Sequence, residues 1–362
     1  MRRLKRLRTS GWSSVVAHSP SVSSRRLPVV GHSSLLMKLL LVKLSSLGDV
    51  IQTMPVVHDV LMAHPAAQID WVVEEAFAPL VERVQGLRRV IPMAGRRWRK
   101  SRFDATTRQE RAAFVAQLQG DQYDAVIDFQ GLIKSALVAR QARITPSGFR
   151  ATYANRSDAC SYEWPVRYLL DRAIPMTQRI HAVARYRRLA SLALNIPLQD
   201  PAIYALRLGV ENDVARRQTG VVFAHGTTRP DNEWPEADWL ELGRRLIAQG
   251  HRIALPQSNA MELALAQRLA DALGNAADVW PVMSLAQVLD RMNQAQGVIG
   301  VDSGLSHMAV ALDLPHVQIF SQPRAWRAGP VGQLHQVAVG GEAPPGVDAV
   351  WQAWQDVLVV HT

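Results

Sequence analysis

The stretch LVKLSSLGDVIQTMPVV, residues 41–57, decides the fold. An apolar run around Leu39–Val42 passes through the polar loop Leu44-Ser45-Ser46-Leu47-Gly48 into a helix-like segment whose first acid is Asp49. A buried strand handing over so quickly to a helix reads as the opening of a parallel α/β unit. The loop has a single glycine, so it is not the G-x-G-x-x-G dinucleotide fingerprint. In the first turn Asp49 is favoured by the helix dipole, which also keeps it ionised. A carboxylate there can cap its helix, accept a substrate proton, or do both.

The alternation continues outward. Strand-like runs at 39–43, 69–74, 90–93 and 123–129 are separated by amphipathic stretches at 50–64, 76–85, 107–119 and 131–142. Residues 151–205 are less regular and end in NIPLQDPAIYALRL (195–208), which reads as a linker. The pattern restarts with strand-like runs at 220–225, 251–256, 277–281, 297–302 and 316–320 and helical stretches at 236–249, 260–273, 284–294 and 304–312. The expectation is an α/β protein with two doubly wound, Rossmann-like units: an N-terminal domain over 37–205 and a C-terminal domain over 206–345. The last segment, 346–362, holds one more amphipathic helix. Ligands in such folds bind at the carboxyl ends of strands, so a cleft between the units is the expected site.

Of 362 residues, 48% are hydrophobic, enough for a sizeable core, and no run reaches the roughly 18 apolar residues of a membrane span. The single cysteine, Cys160, excludes an internal disulfide and a cysteine metal centre, and suggests a reducing compartment. The net charge of +10 is uneven, because Arg2, Arg3, Lys5, Arg6, Arg8, Arg25 and Arg26 lie in an acid-free leader over 1–36. That leader is read as a disordered basic segment, with translation expected to start at Met37. Aromatics are only 6% and no nucleic-acid reader motif is present, so no nucleic-acid partner is expected. No spacing of His, Cys, Asp or Glu resembles a metal site.

Three further stretches carry chemistry. HGTTRPDNEWP (225–235) follows the first strand of the second unit; Thr227, Thr228, Arg229 and the loop amides suit a diphosphate, against the alternative of a plain polar turn. In VDSGLSHMAVAL (301–312) a helix starts at Gly304, and its free amides make an anion site. Asp302 just ahead would repel phosphate and better suits sugar hydroxyls, while His307 could lie in the core or face the cleft. RRWRK (96–100), followed by Arg102, places five cations in seven residues on an expected loop, as an anion-binding surface or a solvated cluster.

Together with WVVEE (71–75), YDAVIDFQGLIKSAL (123–137) and HAVARYR (181–187), these stretches resemble the ADP-heptose:lipopolysaccharide heptosyltransferases of glycosyltransferase family 9, and heptosyltransferase I in particular. The resemblance runs from Met37 to near the C-terminus. It implies a GT-B fold, with the last helix crossing back to the N-terminal domain, and inverting transfer of L-glycero-D-manno-heptose from ADP-heptose to a Kdo sugar of Kdo-lipid A. It makes Asp49 the general base. Donor contacts fall to Thr227, Thr228, Arg229, Asn232, Glu262 (ribose), Met283 (adenine), Asp302, Ser303, Gly304, Leu305 and His307. Acceptor contacts fall to Ser45, Ser46, Arg96, Arg97, Arg99, Lys100 and Gln130.

The resemblance further implies no metal or other cofactor, a monomer, and peripheral contact with the anionic cytoplasmic face of the inner membrane. Two departures stand in the donor region: Asn232 where the family usually has a lysine, and Gln257-Ser258 where it has a tryptophan-glycine pair. They keep open a sugar-nucleotide or lipopolysaccharide binder without catalysis, or a transferase with another donor. The missing glycine fingerprint argues against an oxidoreductase.

Overall fold

The computed structural model describes residues 36–361 apart from 102, 199 and 210–219. The leader expected over 1–36 therefore lies, except for Leu36, outside the described residues.

The first sheet comprises β1 (Lys38–Val42), β2 (Gln68–Glu74), β3 (Leu87–Met93), β4 (Gln122–Asp128), β5 (Arg143–Tyr153) and β6 (Arg172–Ile174). The second comprises β7 (Val221–Ala224), β8 (Ile253–Leu255), β9 (Ala277–Val279), β10 (Gly297–Val301), β11 (His316–Phe320) and β12 (Gln336–Gly340). The strand orders are β3-β2-β1-β4-β5-β6 and β12-β11-β10-β7-β8-β9, and every pairing is parallel. Each half thus winds outward both ways from its first strand. The order reverses between β1 and β4 and between β7 and β10, which fixes two topological switch points.

Strand alternation explains the core. Leu39 and Leu41 face one cluster of buried residues while Leu40 and Val42 face another, and all four are fully buried. In β7, Val222 and Ala224 share the cluster of Leu39 and Leu41, whereas Val221 and Phe223 point to a third. One continuous core therefore joins the facing sides of the two halves. Each fully buried leucine or valine contributes roughly 1.5–3 kcal/mol.

The halves also touch through two helix N-termini. A Cβ at Gly48 would lie 2.4 Å from His307 Cδ2, and one at Gly304 2.5 Å from Leu47 Cδ2. Only hydrogen at both positions lets helix Leu47–Thr53 meet helix Gly304–Ala311 this closely.

Several expectations are corrected. The irregular middle hides β5 and β6. RITPSGFRATY carries Pro146 and Gly148, pairs with β4 through a register shift, and is fully buried only over its last residues, Ala151–Tyr153, so it lacks the apolar run of a central strand. The edge strand β12 was likewise missed. RRWRK is a short helix, Gly95–Lys100, rather than a loop, because Trp98 is buried and anchors it. The last helix, Val347–His361, does not cross back to the first domain: Val350, Trp354 and Val357 complete the core of the second sheet, with Trp354 packed against Gly297. The linker region docks on the first half, where Arg207 N–H donates to Arg83 O at 2.7 Å and Gln85 N–H to Ala205 O at 2.8 Å.

Candidate active site

Both switch points end in residues that the sequence singles out. β1 runs into the loop Lys43–Ser46 and then Asp49. The loop is held from β4: Gln130 Oε1 accepts the amides of Leu44 (3.2 Å) and Ser45 (3.1 Å), while the Asp128 carboxylate accepts the Gln130 amide at 2.9 Å. The Gln130 side-chain oxygen is thus occupied in shaping the loop. Burial pushes Asp128 up to about 6, against the loop amides, the Ser135 hydroxyl and the Lys43 charge.

Asp49 does two things at once. Its Oδ2 accepts from Ser46 N–H (3.2 Å) and Ser46 Oγ (3.0 Å), so it reaches back over its own helix terminus. Its Oδ1 accepts the Tyr186 hydroxyl at 2.7 Å, which in turn accepts from Lys43 Nζ at 3.1 Å. Lys43 Nζ lies 4.0 Å from Oδ2, and Arg327 Nη2 lies 3.8 Å from Oδ1. Burial by itself would raise the pKa of Asp49. The Lys43 and Arg327 charges, the Tyr186 hydroxyl and the Ser46 amide outweigh it and hold the carboxyl well below the usual range. Burial lowers Lys43 to about 8, with Asp49 opposing.

The second switch point gathers Asp302, Ser303 and Gly304 at the end of β10 and residues 225–232 at the end of β7. Asp302 is a hydrogen-bond hub: Asn232 Nδ2 donates to its Oδ2 at 3.3 Å, Gln318 Nε2 to its Oδ1 at 3.4 Å, and His307 Nε2 lies 3.5 Å from Oδ1. Burial would raise Asp302, but His307, Arg327 and Arg229 bring it below the ordinary value. His307 is buried yet spans both halves, its Nδ1 lying 3.4 Å from Gln52 Nε2. Ser303 precedes the helix, and its Oγ is buried without a partner among the described residues. Leu305 packs partly buried on the shared core.

The remaining residues expected on the donor side lie near the neighbouring strand ends. Thr227 Oγ1 accepts the Arg229 amide at 3.3 Å and so bends the loop, while Thr228 and Arg229 are exposed. Glu262 lies against Gly226 and accepts from the Ser258 amide and hydroxyl at 2.7 and 2.8 Å. Met283 lies in the loop after β9, half-buried.

The basic helix divides. Arg97 is engaged by Glu75 (3.0 Å) and Glu110 (2.7 Å), whereas Arg96, Arg99 and Lys100 are exposed; Arg96 also rests over the Phe77 ring. Arg102 lies outside the described residues. Helix Gly95–Lys100 follows β3, two strands from β1, so with 4.7–4.9 Å between strands the basic helix starts about 10 Å along the sheet from the Asp49 loop.

Sequence reasoning missed Lys43, Tyr186 and Arg327. A lysine ending an apolar strand was a usable signal for the first. Tyr186 lies inside the quoted stretch HAVARYR but received no role there, and nothing local pointed to Arg327.

At the two switch points, then, one loop bears an ionised aspartate and the other a helix terminus, within a two-domain α/β fold. Glycosyltransferase family 9 (heptosyltransferase) matches residues 111–348. The chain is 39% identical over 310 residues to lipopolysaccharide heptosyltransferase 1 of Pseudomonas aeruginosa, covering 85% of each chain. It is 39% identical over 305 residues to the Escherichia coli K12 protein of the same name, covering 83% of this chain and 93% of that one. The solved structure described as E. coli heptosyltransferase WaaC with ADP superposes with a TM-score of 0.78 at 35% identity, covering 89% of this chain and 100% of that one. The one with ADP-2-deoxy-2-fluoro heptose superposes at 0.74 and 36% identity, covering 87% and 98%. The chain belongs to glycosyltransferase family 9, with the GT-B architecture of those structures.

Proposed function

We propose that this protein is a lipopolysaccharide heptosyltransferase of type I, moving heptose from ADP-heptose to a Kdo sugar of Kdo-lipid A. The observation that carries the reading is Asp49, ionised at the end of β1 where helix Leu47–Thr53 meets the donor-side helix Gly304–Ala311. The relatives' names and their ADP and ADP-heptose-analogue complexes support the donor.

In the proposed step the acceptor hydroxyl oxygen bonds to the anomeric carbon as the bond from that carbon to the β-phosphate oxygen breaks. The electron pair leaves with ADP, and the acceptor proton passes to Asp49 and then to solvent. Base and leaving group lie on opposite sides of the sugar, so configuration inverts. A carboxylate this weakly basic takes a proton only after the acceptor oxygen has begun to bond carbon and become acidic, so proton transfer is late. Thr227, Thr228, Ser303 and the amides from Gly304 hold the diphosphate. Glu262 holds ribose, Met283 contacts adenine, and Asp302, fixed by Asn232 and His307, accepts heptose hydroxyls. Arg96, Arg99 and Lys100 face the carboxylate and phosphates of the acceptor, with Ser45 and Ser46 at the loop. The same cations suit an anionic membrane surface. No helix of the described residues is long and apolar enough to cross a membrane. Among the described residues no group of three or more His, Cys, Asp or Glu is arranged to hold a metal ion.

The test is ADP release from ADP-heptose with Kdo-lipid A, run beside other sugar nucleotides. ADP release with ADP-heptose in preference to the others is expected. Binding of ADP-heptose without release would instead favour the non-catalytic binder that Asn232 keeps in play.

A further inference from the structure

The donor half meets a diphosphate with few charges of its own. Position 232 carries a neutral amide, already donated to Asp302. Arg229 sits on the exposed rim of its loop. Asp302, at the mouth of the helix terminus, is itself negative. Hydroxyls and amide dipoles, without a buried cation, would have to stabilise a leaving group that gains a full charge as the glycosidic bond breaks.

Arg327 is placed to change that balance. It lies on the short turn of helix Ala325–Ala328 after β11, and β11 pairs with β10, the strand that delivers Asp302. Its side chain is 16% exposed, and its Nη2 stands 3.8 Å from Asp49 Oδ1. That separation exceeds the 2.7–2.9 Å of a charge-assisted hydrogen bond, so the contact is an ion pair in which the guanidinium keeps its donors. Its Nε–H is buried and has no hydrogen-bond partner among the described residues. The Arg327 charge also helps to hold Asp302 below its ordinary value. An arginine of the second half, with an unspent buried N–H, thus stands beside Asp49 and within electrostatic reach of Asp302.

We propose that Arg327 is the cationic ligand of the donor's diphosphate in this protein, supplying the charge that Asn232 does not. This rests on the reading of the cleft as an ADP-heptose site. A tetrahedral phosphate takes two parallel N–H bonds from a guanidinium, and Arg327 has the donors to give. There is a second consequence. Arg327 is one of the charges that keep Asp49 weakly basic, so turning it toward phosphate loosens its hold on Asp49. Donor binding then strengthens the base at the moment a donor is present, and by linkage Asp49 and the diphosphate compete for one cation.

Calorimetric titration of ADP and of AMP separates the possibilities. Wild type, Arg327→Gln, Arg327→Lys and Asp49→Asn are compared, with thermal melting to check folding. Arg327→Gln is expected to weaken ADP 10- to 100-fold and AMP less than threefold, since AMP lacks the β-phosphate. Arg327→Lys should fall between. Asp49→Asn should bind ADP several-fold more tightly, because the competing carboxylate is neutral. Unchanged ADP affinity in Arg327→Gln would overturn the proposal, as would equal losses for ADP and AMP. If Arg327→Gln does not fold, Arg327→Lys and Asp49→Asn decide, and wild-type affinity in both overturns it. Wild type that binds no ADP would instead sink the donor reading itself.

Discussion

The ends of β1 and β10 are built on one plan and differ in what surrounds the carboxylate. Each delivers a carboxylate to the start of a helix, and glycines at 48 and 304 let the two helices touch. Asp49 sits inside the first turn of its helix, among a lysine, an arginine and a phenol that hold it ionised. Asp302 sits ahead of its helix, among an amide, a second amide and an imidazole that fix its direction. In the proposed reaction that placement, a few residues either side of a helix terminus, separates the proton acceptor from the group that grips hydroxyls.

That contrast can be broken first at Asp49. Asp49→Ala should lower kcat by about 10²–10⁴ with ADP affinity not reduced, measured by ADP release and calorimetry. Near-normal turnover would remove Asp49 as base. Asp302→Ala should act on the other side, raising KM for ADP-heptose on the order of tenfold or more while leaving free ADP, which has no sugar, within threefold. If ADP and ADP-heptose weaken equally, Asp302 does not read the sugar.

Tyr186→Phe sharpens the comparison at smaller scale. It removes one donor to Asp49 and should reduce kcat about tenfold, with the acidic limb of the pH–rate profile moving to higher pH as the carboxyl is less strongly held down. A smaller effect still is expected at Asp128. Its folded-state value near 6 exceeds that of the unfolded chain, so the native state binds the proton more tightly between about 4 and 6. Stability from this group is present at low pH and is lost as pH rises through about 6. Asp128→Asn, keeping an oxygen for the loop amides, should therefore gain on the order of 1–2 kcal/mol over wild type at pH 7.5, with little gain at pH 4. Denaturant melts at the two pH values check the sign.

Much of the fold was legible because its signals are local. Apolar runs such as Leu39–Val42 and Gly297–Val301 are buried on both faces and cannot be exposed without large cost, so their pattern survives any context. β5 was illegible for the opposite reason: most of it carries no burial pattern and is held by pairing to β4. The last helix illustrates a related limit, since its apolar stripe said that it must be covered without saying by which sheet.

The same boundary runs through the site. Residues 41–57 alone determined a strand, a loop and an acid at a helix terminus, because those depend on neighbours within a turn or two. Only the tertiary structure chose what surrounds that acid. Tyr186 and Arg327 arrive from 137 and 278 positions away along the chain, carried by a helix of one half and a turn of the other. Charge interactions depend on distance in space and not in sequence, so the basicity of Asp49 belongs to the assembled cleft.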